Sequence, residues 1–369
     1  MPSEDLIELV PLKQNTKEPT KTRLPKNIGQ IQFLRGLAAL FVAMAHLHAV
    51  ELKLGGEILF GNWALGGFGG VDLFFVISGF VMVWSNFNST PTPQYVSKFW
   101  ALRAIRIYPL WWLVMGAIFV VYTIHPDWVY QSHKETPDIL KSFLLIPQAT
   151  LPLHAVGWTL IHELWFYIVF GFILFAPKKL MPAFLVGWAL LVAFASLANQ
   201  NPTPFLAIVI HPLTLEFIMG AGVAIIIKNR KERPYGDVAA ILGAVLLFFS
   251  FARVAGFAQD FFALKWERVF YFGLPSAILL YGMVVLELDG FKAKKPLIKL
   301  GDWSYALYLI HVPIFAATGR IFARFSREGL LDNFLFCAIA FVAAIIASAI
   351  LHIMFEKPIL KLAHKLLKK

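Results

Sequence analysis

The chain has 369 residues, of which 59% are hydrophobic and only 15% are charged, with a formal net charge of +11. A soluble domain of this length needs a far more polar surface, so the composition excludes a soluble enzyme and indicates a polytopic membrane protein. The excess positive charge lies in segments such as KNRKER and KLAHKLLKK, where it suits anionic lipid headgroups and does not indicate a nucleic-acid-binding protein.

The hydropathy pattern predicts an all-α polytopic bundle of about ten transmembrane helices, since about 20 apolar residues cross about 30 Å of hydrocarbon. The domain 30–356 is expected to lie between a disordered polar tail, 1–29, and a short basic tail, 357–369. Most of the 33 Lys and Arg residues fall on the side that holds both termini, which predicts that this side is cytoplasmic. The predicted spans are 30–50, 66–86, 105–124, 155–176, 180–198, 205–227, 237–256, 268–288, 302–320 and 333–355.

The first span, FLRGLAALFVAMAHLH, carries two ionisable residues, Arg35 and His46. They are eleven positions apart, so a helix places them on one face, about 16 Å apart along its axis. Ionisable groups at membrane depth usually line a cavity or a path. A packed, hydrogen-bonded structural histidine is the alternative interpretation of His46.

Two further spans contain carboxylates, Asp72 in GGVDLFFVISGF and Glu163 in WTLIHELWFY. The predicted span boundaries place both at the depth of His46 in the outer part of the membrane. An imidazole oriented by a carboxylate is the arrangement of a general base. A buried structural ion pair is the alternative for the two carboxylates.

The third span opens with KFWALRAIRIYPLWW, which puts Arg103 and Arg106 three residues apart on one helical face, near Tyr108. Arginines in this arrangement suit a polyphosphate group. Ordinary anchoring by basic residues at the cytoplasmic boundary is the alternative.

Later spans add further polar residues. In LGDWSYALYLIHVPI, Ser304, Tyr308 and His311 fall near one helical face. In HPLTLEFIMG, Pro212 predicts a helix break. The motifs show no metal-ligand spacing, and the single cysteine, Cys337, excludes disulfides and a thiolate metal site.

Taken together, these motifs give the chain a resemblance to the acyltransferase family 3 of integral membrane proteins. The resemblance covers residues 30–358. It rests on the following stretches, in this order: FLRGLAALFVAMAH, GGVDLFFVISGF, RAIRIYPLWW, WTLIHELWFY, LGDWSYALYLIHVPI and FEKP.

The resemblance implies roles for particular residues, and the polar pattern adds others. The catalytic candidates are Arg35, His46, Glu163 and Asp72. The candidates for binding the donor are Arg103, Arg106, Tyr108 and His311, and Trp158 and Tyr305 are expected to contact the substrate. Family members often have SVEEQFY where this chain has IHELWFY, so only one of the two acidic positions is kept.

The resemblance implies an O-acyltransferase, most similar to exopolysaccharide O-acetyltransferases. The expected donor is acetyl-coenzyme A or another acyl-coenzyme A from the cytoplasm, without a metal. The expected acceptor is a polysaccharide or lipid-linked oligosaccharide. The protein is expected to lie in the cytoplasmic membrane of a bacterium, in contact with membrane lipids and possible polysaccharide-export partners. A proton-coupled transporter or glycan exporter is the alternative class, because intramembrane His, Asp and Glu also build such proteins. The sequence does not disclose the acceptor sugar, the acyl group, an acyl-histidine intermediate or the oligomeric state.

Overall fold

The structure is a computed structural model that describes residues 24–25, 27–54, 59, 61–89, 92–129, 136–255, 265–325 and 329–367. Most of the expected N-terminal tail therefore lies outside the described residues. The principal helices are α1 (Gly29–Leu54), α2 (Gly70–Asn86), α3 (Pro93–Ile124), α4 (Ile139–Leu144), α5 (Gly157–Ile173), α6 (Met181–Ala198), α7 (Thr214–Asn229), α8 (Gly236–Ala255), α9 (Leu274–Leu288), α10 (Lys295–Phe322), α11 (Leu330–Leu351) and α12 (Lys357–Leu366).

Several of these helices are extended by turns of other geometry. A 3-10 helix, Gly61–Gly69, leads into α2, and π-helical turns, Val269–Gly273 and His352–Glu356, precede α9 and α12. The short helix Pro204–Val209 ends before α7 begins at Thr214, so the helix break predicted at Pro212 is present.

The predicted helical membrane bundle is confirmed. Within the described residues, nine helical segments are long and apolar enough to cross a membrane, and α5 is a shorter apolar helix. Each of the ten predicted spans overlaps one of these ten segments. We call the side at which α1 begins the near face, and the side at which it ends the far face.

Two helices begin well before the predicted spans. The helix α3 begins at Pro93, where the Oγ1 atom of Thr92 accepts a hydrogen bond from the Tyr95 N–H, and α10 begins at Lys295. Hydropathy marks the hydrocarbon-compatible stretch, whereas proline at the first helical position and a capping hydroxyl decide where the helix begins. Distances measured along these two helices from their first residues are therefore longer than the depths counted from the predicted span boundaries.

Glycines set the closest helix contacts around the centre of the bundle. A Cβ atom at Gly301 of α10 would lie 1.9 Å from the Gln32 carbonyl oxygen of α1. Between α2 and α7, a Cβ atom at Gly79 would lie 1.8 Å from the Phe217 carbonyl oxygen, and one at Gly220 would lie 1.8 Å from that of Val76. Small residues of this kind let the backbones approach within membrane bundles.

The connection between α3 and α5 enters the bundle. The indole N–H of Trp112 donates to the Phe143 carbonyl at 3.0 Å, and the Tyr108 hydroxyl donates to that of Leu144 at 2.9 Å. Trp112 precedes the far end of α3 by twelve residues, about 18 Å along the helix. The segment 139–156 is thus re-entrant, and donors of α3 satisfy the carbonyls of Phe143 and Leu144 at this depth.

Candidate functional site

A cavity in the near half of the bundle gathers half of the predicted site residues. It contains about 830 Å³ of space free of protein atoms, including the part open to solvent. Its charged and polar lining includes Arg35, Ser78, Arg103, Arg106, Glu163 and Tyr305. Three guanidinium groups therefore face one carboxylate in this lining.

Among the residues that the structure describes, one of the three arginines has a carboxylate partner. Arg106 is paired with Glu356, and its guanidinium lies 5.3 Å from the centre of the Tyr305 ring. Glu356 is buried and also accepts a hydrogen bond from Nδ1 of His352 at 2.8 Å. This buried partner fixes the Arg106 side chain at the wall of the cavity.

Arg103 and Arg35 form no ion pair among the described residues. The Arg103 guanidinium lies over the rings of Phe99 and Tyr167 at 5.4 and 5.6 Å, and its buried Nε atom has no hydrogen-bond partner. Arg35 donates to the side-chain oxygen of Gln32 at 3.3 Å. Two cations without an ion-pair partner among the described residues favour an anionic ligand.

Glu163 lies in this cavity, away from His46. Its Oε1 atom accepts hydrogen bonds from the hydroxyls of Tyr167 and Ser78, the latter at 3.2 Å. Ser78 is six residues nearer the near face than Asp72 on α2, about 9 Å along the helix. The expectation that Glu163 and Asp72 share one depth is therefore wrong. The depth of Glu163 is mispredicted because the re-entrant segment already brings the chain to the middle of the bundle before α5 begins at Gly157.

Asp72 belongs to a second polar cluster, above the cavity. Its two carboxylate oxygens accept hydrogen bonds from Nε and Nη2 of Arg268 at 3.1 and 2.7 Å, and both residues are buried. The Arg268 guanidinium also lies 5.4 Å from the ring centre of Trp158. The structural ion pair considered for Asp72 is thus the arrangement observed, and it ties α2 to the segment before α9.

His46 is paired with another histidine, His311. Nε2 of the fully buried His311 lies 3.2 Å from Nδ1 of His46, and the two ring centres are 4.8 Å apart. The ring of His46 also contacts the edge of Phe68 at 4.8 Å. A hydrogen bond between the His46 ring and the carboxylate of Asp72 or Glu163, direct or through one water, is expected from the sequence. The direct bond is not formed, since within the described residues the hydrogen bonds of the half-buried His46 go to Val42 and His311.

The hydrogen-bond partners define the tautomers of this pair. Nδ1 of His311 lies 2.9 Å from the Leu307 carbonyl, which can only accept, so this nitrogen carries the proton of the neutral ring and Nε2 holds a lone pair. Nδ1 of His46 lies 2.9 Å from the Val42 carbonyl as well as close to that lone pair, so it also carries a proton. Nε2 of His46 is then the free basic atom of the pair.

His154, which sequence reasoning missed, supports the helix that carries His311. Its Nε2 atom donates to the Leu309 carbonyl at 2.7 Å, and its ring stacks on Trp111. Leu309 precedes Pro313 by four residues, so its carbonyl has no helical N–H partner within α10. The only signals of this contact in the sequence are a histidine shortly before the WTL motif and a proline four residues after Leu309.

The remaining predicted residues are distributed between these sites. Tyr305 lines the cavity and donates to the Ile107 carbonyl at 2.7 Å, whereas Tyr108 contacts the re-entrant segment and is not part of the cavity lining. Trp158 belongs to the cluster around Arg268. Within the part of the chain that the structure describes, no three His, Cys, Asp or Glu side chains are arranged to hold a metal ion.

Comparison with known proteins gives a family match across most of the chain. The family model described as "Acyltransferase domain" matches residues 28–353. The search of solved structures gives no significant match.

Curated relatives fall into the same group. The chain is 28% identical to the exopolysaccharide production protein ExoZ of Rhizobium meliloti, over 66% of this chain and 75% of that protein. It is 25% identical to the acyltransferase MdmB of Streptomyces mycarofaciens, over 93% of both chains. It is 24% identical to the peptidoglycan O-acetyltransferase OatA of Listeria monocytogenes, over 79% of this chain and 50% of that protein.

Proposed function

The chain belongs to the acyltransferase family that matches residues 28–353, and we propose that it transfers an acetyl group from cytoplasmic acetyl-coenzyme A to a carbohydrate hydroxyl across the membrane. Its family and its O-acetyltransferase relatives identify it as a multi-pass membrane O-acetyltransferase. The donor, the acceptor and the sidedness are the proposal. The observation that carries it is an arginine-lined cavity on one side of a histidine pair that offers a free basic nitrogen.

The near-face cavity suits the phosphate-bearing part of the donor. Arg103 and Arg35 have no ion-pair partners among the described residues, and Arg106 is held in place by Glu356. Arginine binds phosphate oxygens with charge-assisted hydrogen bonds. We assign these three residues to the phosphates of coenzyme A, with Glu163 positioning Tyr167 beneath Arg103.

The histidine pair supplies the base for the transfer. Nε2 of His46 removes the proton of the acceptor hydroxyl as its oxygen attacks the thioester carbonyl. The carbon–oxygen bond of the new ester forms, the carbon–sulfur bond breaks, and the coenzyme A thiolate leaves and takes up the proton from His46. His311 accepts the hydrogen bond from Nδ1 of His46 and so holds Nε2 towards the reacting atoms.

This geometry reassigns three of the predicted catalytic roles. Arg35 is eleven residues from His46 on α1, about 16 Å along the axis, so it binds the donor's charged end rather than the thioester carbonyl. Glu163 acts in the same cavity. Asp72 positions the backbone of α2 through its pair with Arg268.

The acceptor is a polysaccharide or lipid-linked oligosaccharide that approaches from the far face. The relatives ExoZ and OatA are named for exopolysaccharide production and for peptidoglycan O-acetylation, respectively. The excess of Lys and Arg on the near face supports a cytoplasmic position for that face and for both termini, and we assign the protein to a bacterial inner membrane. Export partners that deliver the glycan belong to the same proposal.

The test uses purified protein in detergent with acetyl-coenzyme A and a glycan fraction. We expect release of the coenzyme A thiol, measured with a thiol reagent, together with new ester-linked acetyl groups on the glycan, measured by mass spectrometry. The His46→Ala variant is the control for hydrolysis by the preparation. If the wild-type protein consumed no acetyl-coenzyme A with any of the glycans tested, the proposed donor would be contradicted.

A further inference from the structure

At the end of the cavity towards His46, a layer of three side chains is formed by Phe74, Thr159 and Tyr308, and Val71 lies in the lining one turn beyond Phe74 on α2. All three members of the layer line the cavity. Each lies four residues, or one helical turn, further from the near face than a polar lining residue of the same helix. These polar residues are Ser78 on α2, Glu163 on α5 and Ser304 on α10.

Two members of this layer are fixed by hydrogen bonds. The hydroxyls of Tyr308 and Thr159 are 2.7 Å apart, and the Tyr308 hydroxyl also lies 3.1 Å from the Val156 carbonyl oxygen. Phe74 has no polar side-chain atom and meets the ring of Tyr308 in an edge contact at 6.0 Å. The layer therefore has two tied members and one that is held by packing alone.

Phe74 also packs against the apolar cluster that contains Ala39 and Ala43, which lie between Arg35 and His46 along α1. The other side of the layer reaches the histidine pair, because the ring centres of Tyr308 and His311 are 6.0 Å apart. Alanine side chains occupy little of the space between Arg35 and His46, so the size of residue 74 decides how wide this space is.

We propose that Phe74 sets the length of the acyl group that the enzyme transfers. This inference rests on the proposed function, since it assumes that the donor's thioester passes from the arginine-lined cavity to His46. A two-carbon acyl group fits beneath the phenyl ring, whereas a longer chain collides with it and with the fixed Tyr308–Thr159 pair. One methylene that a pocket does not accommodate changes discrimination by about 1–3 kcal/mol, or roughly 10- to 200-fold.

The test compares acetyl-, propionyl- and butyryl-coenzyme A as donors for the wild-type protein and for Phe74→Ala. We expect the ratio of kcat/KM for butyryl- over acetyl-coenzyme A to rise by roughly tenfold or more in Phe74→Ala. Phe74→Leu, which keeps most of the buried volume, should give a smaller rise, and it serves as the readout if the alanine variant is not recovered as a monodisperse protein.

A matched control and the contrary results complete the design. Phe184→Ala removes a phenyl ring that is 50% exposed on α6 and should leave the ratio unchanged. Wild-type ratios in both Phe74 variants, with transfer of acetyl intact, would overturn the role of Phe74 and leave the proposed function standing. A wild-type protein that uses none of the three donors would overturn the proposed donor, and with it this inference.

Discussion

At the scale of single residues, His46 has a different partner from the one expected. A carboxylate partner would stabilise the imidazolium that forms when the base takes a proton, whereas neutral His311 only orients the ring through its lone pair. In the proposed mechanism, His46 therefore passes the proton on to the departing thiolate.

The sequence motifs identified both histidines but not their contact. Counting from a predicted span start at residue 302 put His311 about 12 Å from the near face, whereas α10 begins at Lys295, which puts it about 24 Å along the helix. This brings His311 level with His46. The hydrogen bond between them depends on helix register, which the apolar pattern does not define.

Replacing His46 tests the base directly. His46→Ala should lower kcat by about 100-fold or more, because a positioned general base contributes about 10²- to 10⁴-fold. His311→Ala should lower kcat less and leave the donor KM unchanged, because it removes only the orienting contact. Steady-state kinetics with purified variants gives both values. Near-normal kcat in a monodisperse His46→Ala protein would contradict its role, and His364→Ala in α12 is the control.

Replacing Arg103 separates donor binding from chemistry. Arg103→Gln should raise the KM for acetyl-coenzyme A by about tenfold with a smaller change in kcat, since a charge-assisted contact contributes about 1.5–3 kcal/mol. Lys178→Gln, outside the cavity, should leave KM unchanged. An equal rise in both variants would show that the near-face charge, and not the cavity, governs binding.

At the scale of helices, hydropathy predicted all ten segments but not the depth at which each begins. The helix α5 has 17 residues, about 25 Å, and it begins beside Trp111 because the chain has already entered the bundle. The re-entrant segment is held by indole and hydroxyl donors of α3, which are long-range contacts. Apolar periodicity contains no information on such contacts, so Glu163 was placed too close to the far face.

The glycine contact between α2 and α7 gives a prediction for stability. Gly220→Ala should destabilise the protein by about 1–3 kcal/mol, because the new Cβ atom has to displace the Val76 carbonyl and overpacking of this kind has that cost. The measurement is the midpoint of thermal unfolding in detergent, followed by light scattering or intrinsic fluorescence.

A glycine of the same helix provides the control. Gly222 lies two residues further along α7, and a Cβ atom there meets nothing within 4 Å. Gly222→Ala should therefore keep the wild-type midpoint or raise it slightly, since alanine favours the helix more than glycine does. Equal destabilisation by the two substitutions would indicate that α7 does not pack on α2 as closely as described.

At the scale of the whole molecule, the two reacting centres lie at different levels of one bundle. The arginine-lined cavity occupies the near half, and the histidine pair lies on the far side of the layer formed by Phe74, Thr159 and Tyr308. Arg35 and His46 were expected to border one cavity, but only Arg35 does so in the structure. On the proposed function, the thioester of a donor bound in the cavity has to pass Phe74, which packing alone holds, to reach His46.

The separation of the two centres predicts transfer across a membrane. Sealed vesicles that contain the purified protein, with the glycan trapped inside, should gain acetyl esters on the trapped glycan when acetyl-coenzyme A is added outside. Only protein molecules whose near face points outward should acetylate the trapped glycan. Their fraction is measured by protease cleavage of the near-face loops. Vesicles with His46→Ala protein give the background, and permeabilised vesicles show whether each preparation is active. If acetyl transfer occurred only when both substrates shared one compartment, both would have to reach His46 from the same face, and the cavity and the histidine pair would not be the two ends of one path.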